Sequence, residues 1–227
     1  MYFQDIVQTH SLYVGIILAM AANDPNHITL EAYNNNVDSY LNRTPSQYGE
    51  PHKALTDWID RALSYVKPNG SVLEIGSATP RDAQYIRNHG FTVQCSDASI
   101  GFVNHLREAH ENAIHLNIIH DYSHALYDMV FANAVFPHFT LEDTQRALRN
   151  IYRSLNPQGI LVFNVKQGEG DEWVNEKMND RRYVHYWLPH EIYNEVIAVG
   201  YEVIQLEDGV EGDLPTHIWT RIIAQKV

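Results

Sequence analysis

Short β-rich runs alternating with helix-period segments constrain this chain more than any other feature of its sequence. Residues 71–76 (SVLEIG), 91–96 (FTVQCS), 114–118, 127–132 (YDMVFA) and 159–165 (GILVFNV) are apolar or β-branched runs of strand length. Between them lie 52–67, with Leu55, Trp58, Ile59, Leu63 and Val66 at helical spacing, 80–89 closed by Gly90, and 99–110. Thr140 with Asp143 caps a further helix that turns Leu141, Leu148, Ile151 and Leu155 inward. Apolar residues three and four apart share a helix face, whereas a continuous apolar run marks a strand buried on both sides. Such alternation predicts βαβ units and a mostly parallel sheet covered on both faces. Two last strands, 201–206 and 217–225, follow a helix at 189–199 with only the turn-rich 207–216 between them, so they pair antiparallel at the sheet edge. The expected fold is α/β: a doubly wound, mostly parallel seven-stranded sheet with antiparallel last strands.

Ahead of this frame, residues 1–50 read as an N-terminal helical cap or lid, leaving 51–227 as the main domain. Residues 12–22 (LYVGIILAMAA) are apolar, but no Lys or Arg precedes them, so the positive region of a secretory signal is missing. The run is also too short for a membrane span of about 20 residues. It reads as a buried or surface-docked helix, with no membrane partner, against the alternative of a signal or anchor. A single cysteine, Cys95, leaves no internal disulfide, zinc ribbon or CxxC pair and agrees with a reducing, cytoplasmic setting. Sixteen Lys plus Arg against 28 Asp plus Glu gives a net charge of −12, which disfavours a phosphate-tracking nucleic-acid binder. A small-molecule substrate suits that charge, and the chain is expected as a monomer or homodimer.

A doubly wound sheet binds its ligand at the C-terminal ends of its strands. The first strand ends in Glu74-Ile75-Gly76, followed by Ser77 and Ala78, small enough for a ligand to approach the backbone. Thr79 is placed to cap the next helix, with Pro80 at its first position and exposed N–H groups that favour an anion. Asp97 closes the second strand 21 residues after Gly76. A carboxylate there accepts hydrogen bonds from both hydroxyls of a ribose. Loop and acid together point to a nucleoside cofactor.

Four segments carry a resemblance: VLEIGSATPRDA at 72–83, CSDAS at 95–99, YDMVFANAVFPHFT at 127–140 and LNPQGILVFNVK at 155–166. In their order and spacing the chain resembles the class I S-adenosylmethionine-dependent methyltransferases, a Rossmann-like fold whose seventh strand inserts antiparallel. The resemblance implies S-adenosylmethionine as cofactor, S-adenosylhomocysteine as product, and 51–227 as the cofactor-binding domain. It further implies that Glu74, Gly76 and Ser77 shape the methionine end of the site and that Asp97 takes the ribose. Ala98 and Ser99 would lie along the adenine, Asn117 and Ile118 at its amino group, and Ala132 and Asn133 at the amino-acid end. Tyr33 and Tyr40 would form part of a lid. The usual E-x-G-x-G-x-G is altered here, with Ala78 and Pro80 in place of its second and third glycines.

Methyl transfer is an in-line displacement that depends chiefly on positioning, and a base is needed only for an acceptor that must lose a proton. His138 is the candidate base, the competing reading being a histidine that merely hydrogen-bonds in its loop. The segment 166–186, rich in Gly, charge and aromatics, is expected as a substrate lid carrying Trp173, Arg182, Tyr183 and Tyr186, against the alternative of a solvated surface excursion. His105, His110, His115, His120 and His124 recur at a spacing that crosses helix, turn and strand, so no metal site is expected. The favoured function is methylation of an O or N atom of a small molecule. The alternatives are a noncatalytic binding module of the same fold and an NAD-dependent oxidoreductase, whose G-x-G-x-x-G is not matched after Gly76.

Overall fold

The computed structural model describes residues 23–44, 51–175, 178–210 and 218–227. The apolar run 12–22 and most of the proposed cap's first half therefore lie outside the described residues. Two short helices come first among the described residues, α1 (Pro25–Asn35) and α2 (Val37–Arg43). Asp24 caps α1, its side chain accepting from the Asn26 N–H, with Pro25 in the first turn, where a missing N–H does no harm. Helix α3 (Lys53–Leu63) buries Leu55, Trp58, Ile59, Ala62 and Leu63, the face that periodicity predicts.

The alternating frame follows: β1 (Ser71–Ile75), α4 (Arg81–Asn88), β2 (Thr92–Asp97), α5 (Ile100–Glu108), β3 (Ala113–His115), β4 (Tyr127–Ala132), α6 (Leu141–Ser154) and β5 (Leu155–Gln167). A single 3₁₀ turn, Phe136–His138, stands between β4 and α6. The Thr140 hydroxyl accepts from the Asp143 N–H at 3.1 Å and donates to its carboxylate at 2.9 Å, fixing the start of α6. Then come the hairpin strands β6 (Asp171–Val174) and β7 (Arg182–Trp187), α7 (Pro189–Val199), β8 (Tyr201–Val210) and β9 (Ile218–Lys226).

Among the described residues the sheet has nine strands rather than the seven expected, in the order β3-β2-β1-β4-β5, with β9 then β8 beyond β5. Strands β1 to β5 are parallel, while β9 runs antiparallel between β5 and β8. All seven predicted strands are present. The two additional ones come from the segment expected as a lid loop. Lys166 pairs with Trp219 of β9 and also with Tyr186 of β7. A strand has two edges, so β7 must continue along the edge that β4 occupies lower down. This carries the start of β7 over the C-terminal end of β4.

Alternate residues of the central strands serve opposite layers. Leu73, Val130, Leu161 and Ile222 pack with Leu148, Ile151, Ile192 and Val196 of α6 and α7. Val72, Met129, Phe131, Val162 and Ile223 pack with Trp58, Ile59, Ala62 and Ile86 of α3 and α4. Both faces are dry, so side chains project into open space at the strand ends. No helix among the described residues is long and apolar enough to cross a membrane.

Candidate active site

A cavity of about 560 Å³ opens at the C-terminal ends of β1, β2 and β4, under α1 and α2. Its floor is the turn after β1. Gly76 takes φ +68°, and a Cβ there would lie 2.5 Å from Val135 Cγ2, so both conformation and space require glycine. Ser77 extends the β1–β2 pairing, donating its N–H to the Ser96 carbonyl at 2.9 Å and accepting the Ser96 N–H on its hydroxyl. Ala78 also takes a left-handed conformation, φ +49°. There the expected glycine would be unstrained, whereas alanine bears a cost of about 1 kcal/mol. In return its N–H points at Asp97 Oδ2, 3.0 Å away. Helix α4 starts one residue later than the sequence suggests: Pro80 is its N-cap, no side chain caps it, and Thr79 does not fill that role.

Asp97 is 7% exposed and faces the cavity. Oδ1 accepts the Ser99 N–H at 2.8 Å and Oδ2 the Ala78 N–H, leaving each oxygen a further acceptor position. Burial pushes its carboxyl up to about 6, against the lowering effect of those N–H groups. Glu74, 3% exposed, has its Oε2 without a hydrogen-bond partner. Burial, with the charge of Asp82 second, pushes its carboxyl up to about 8. Beside it, Arg81 grips Asp82 through Nε at 2.6 Å and Nη2 at 3.1 Å. Asp82 also accepts from Asn133 Nδ2, whose Oδ1 accepts from Asn164 Nδ2 at 2.9 Å, and Asn164 Oδ1 accepts the Ala134 N–H at 2.6 Å. This chain of bonds ties the ends of β4 and β5 to α4.

Helix α1 is bolted to three parts of the rim. Asn34 Oδ1 accepts from the Ser99 hydroxyl at 2.7 Å and the Gly101 N–H at 3.2 Å, and Asn26 Oδ1 accepts from Asn117 Nδ2 at 2.9 Å. Thr29 Oγ1 accepts the Tyr183 N–H at 3.0 Å. Tyr33 packs edge-on against Tyr40, Phe102 and His138, with centroids 5.5–6.0 Å apart. The Tyr33 hydroxyl lies 2.9 Å from His138 Nε2, and His138 Nδ1 lies 2.7 Å from the Tyr183 carbonyl. A carbonyl only accepts, so Nδ1 carries the proton in neutral His138, and Nε2 accepts from Tyr33. Arg182 Nη1 in turn donates to Tyr33 Oη at 3.1 Å. Both histidine nitrogens are thus engaged, as the competing reading required, and Nε2 still presents a lone pair through Tyr33.

The fold brings Tyr33, Tyr40, Glu74, Gly76, Ser77, Asp97, Ala98, Asn117, Ile118, Asn133, His138 and Arg182 to the cavity wall. Ala132, the last residue of β4, is fully buried in the core instead. Ser99 caps α5, its hydroxyl accepting from the Phe102 N–H, and does not line the cavity. The lid expectation is corrected for three residues. Trp173, 40% exposed, stacks edge-on against Tyr183 and beneath Arg181, with the guanidinium 4.6 Å from its ring centre. The Tyr186 hydroxyl bonds Glu172, and the Tyr183 ring packs with Trp173, so none of the three lines the cavity. Strand pairing turns alternate residues outward, which a loop reading could not register. Asn26, Thr29, Phe102, Arg81 and Asp82 were missed. The first three are non-local contacts, but the adjacent opposite charges of Arg81 and Asp82 right after the turn were a signal available in the sequence. Among the described residues no three His, Cys, Asp or Glu side chains converge as a metal site.

The sequence profile of the methyltransferase domain family matches residues 48–206. A carboxy-S-adenosyl-L-methionine synthase of Actinobacillus succinogenes is 32% identical over 126 residues, 50% of this chain and 52% of the relative. The match thus spans about half the length of that curated relative. Among solved structures, the 1,6-didemethyltoxoflavin-N1-methyltransferase of Burkholderia thailandensis, with S-adenosylhomocysteine and 1,6-didemethyltoxoflavin bound, superposes with a TM-score of 0.70 at 16% identity, covering 90% of this chain and 91% of its own. The CcbJ methyltransferase of Streptomyces caelestis gives 0.66 at 16% identity over 86% of this chain and 98% of its own. At such identities the likeness is one of fold.

Proposed function

Since the chain belongs to the methyltransferase domain family, we propose that it transfers a methyl group from S-adenosylmethionine to an O or N atom of a small-molecule acceptor. The family uses S-adenosylmethionine, and the residues of the cavity fit it. Glu74 Oε2, buried and without a partner, suits a cationic donor group, and Asp97 keeps an acceptor position on each oxygen. The missing Cβ of Gly76 lets Val135 pack directly on the turn that forms the floor. In this reading Asp97 holds the ribose, Gly76 and Ser77 offer backbone to the methionine end near Glu74 and Asn133, and Ala98, Asn117 and Ile118 border the adenine. When bound, the cofactor supplies a methyl group on a sulfonium, already activated for displacement. The protein's part is to align the acceptor and exclude water under the α1 roof.

For an acceptor that must lose a proton, Tyr33 and His138 form a relay. The acceptor proton passes to Tyr33 Oη as the Tyr33 proton passes to His138 Nε2, and the Tyr183 carbonyl holds the ring in place through Nδ1. The single observation that carries the proposal is Asp97 facing the cavity beside the Gly76 turn. Calorimetry with S-adenosylhomocysteine tests it: the wild type should bind, and Asp97→Ala should bind about 10²-fold more weakly, the loss of two hydrogen bonds to a charged group. No binding to the folded wild type would end the proposal. The likeness to a carboxy-S-adenosyl-L-methionine synthase supports a second reading, in which the cofactor itself is converted. Mass spectrometry of the turnover mixture separates the two, since methyl transfer leaves S-adenosylhomocysteine.

A further inference from the structure

Arg182 is 7% exposed on the cavity wall. Its Nη1 donates to Tyr33 Oη, its guanidinium sits 5.7 Å from the centre of the Tyr33 ring, and its Nε has no hydrogen-bond partner among the described residues. No carboxylate among the described residues forms an ion pair with it. Arg81, equally buried on the same wall, is matched in full by the two-point grip of Asp82. The contrast matters because a buried guanidinium without a counter-charge costs several kcal/mol. None of the three acids of the cavity relieves it: Asp97 holds the Ala78 and Ser99 N–H groups, Asp82 is gripped by Arg81, and Glu74 lies beside that pair. Lys166, also on the wall, adds charge of the same sign.

The chemistry that completes such a site is a carboxylate, which a guanidinium binds through paired N–H donors. Two ligands could carry one: the acceptor, or the amino-acid end of the cofactor. Arg182 shares the Tyr33 hydroxyl with His138, so the group it binds stands one hydrogen bond from the relay that takes the acceptor's proton. We propose that Arg182 is the counter-charge for a carboxylate on the acceptor, and that the enzyme therefore methylates small organic acids. This rests on the methyl-transfer reading.

The test uses the whole protein saturated with S-adenosylhomocysteine and matched probes, benzoate against benzamide and 4-hydroxybenzoate against 4-hydroxybenzamide, titrated by calorimetry. The acids should bind at least about tenfold more tightly than their amides, and Arg182→Gln should abolish that preference while leaving S-adenosylhomocysteine affinity within about twofold. Arg182→Lys, which keeps the charge but not the fork, should retain part of the preference. Equal binding of acid and amide by the wild type overturns the proposal without any variant having to fold, as does a preference that survives in Arg182→Gln. A loss of S-adenosylhomocysteine affinity of tenfold or more in Arg182→Gln would assign the carboxylate to the cofactor and overturn the acceptor assignment. Failure of the wild type to bind S-adenosylhomocysteine would instead defeat the methyl-transfer reading, and the probe titrations on the cofactor-free protein would still judge Arg182.

Discussion

Glu74→Gln separates the recognition of a cationic ligand from the expense of keeping an acid dry. Burial raises the Glu74 carboxyl from 4.5 to about 8 in the folded chain. A raised acid favours folding while it is protonated: its contribution is complete below about pH 4.5 and is lost as pH rises through about 8. At about 1.4 kcal/mol per unit, the loss is at most about 5 kcal/mol across that window, of which about 3 kcal/mol has already gone by pH 7. Glutamine occupies the same volume and cannot ionise. Urea unfolding of both proteins from about pH 5 to about pH 9 should show the wild type losing stability faster, and the variant should be the more stable by at least about 2 kcal/mol at pH 8.5. Asp97, raised to about 6, contributes a slope common to both proteins, so the difference isolates Glu74. A ligand ammonium close to Glu74 would lower its pKa again. S-adenosylhomocysteine binding near neutrality should therefore release protons in the wild type, and release fewer in Glu74→Gln, when heats are compared in buffers of different ionisation enthalpy. Parallel stability curves, or a variant destabilised at pH 8.5, would refute the account of a desolvated acid.

The turn after β1 gives a pair of opposite predictions. Gly76→Ala adds a Cβ 2.5 Å from Val135 Cγ2 at φ +68°, and should cost about 2–4 kcal/mol by urea unfolding and eliminate S-adenosylhomocysteine binding. Ala78→Gly relieves a left-handed alanine at φ +49°; the gain, reduced by unfolded-chain entropy, should be about 0–0.5 kcal/mol, and a loss beyond about 1 kcal/mol would contradict it. Tyr33→Phe removes the group between Arg182 and His138 and should cost about 1–3 kcal/mol in stability. It should also slow methylation of a hydroxyl acceptor more than that of an amine already free of its proton, as read from initial rates.

The sheet's parallel frame was legible because each strand from 71 to 165 advertises itself by a short apolar or β-branched run, and the intervening helices by apolar residues at helical spacing. Gly76 and Asp97 were legible as residues of the cavity for a related reason: strand ends are marked by the sequence, and a parallel sheet puts all those ends on one side. The hairpin at 171–187 was hidden. Its polar, charged residues look like a loop, and its pairing to β5 is a tertiary event that involves only Lys166 and Gln167 of that strand. The seating of α1 was hidden as well, since Asn26, Thr29 and Asn34 are ordinary helix-surface residues until Asn117, Tyr183 and Ser99 meet them.

Periodicity and strand-end chemistry are properties of neighbouring residues, so the sequence alone determined the layered α/β frame, the turn at Gly76 and the acid at Asp97. Whether a charge is matched depends on residues far apart in the chain. That Arg81 is neutralised by its neighbour while Arg182, brought over β4 by the added strand, meets the Tyr33 hydroxyl and ring but no carboxylate among the described residues was decided by the tertiary structure. The physical reason is that burial removes water from every ionisable group in the cavity, and only three-dimensional packing determines which of them receive a partner in its place.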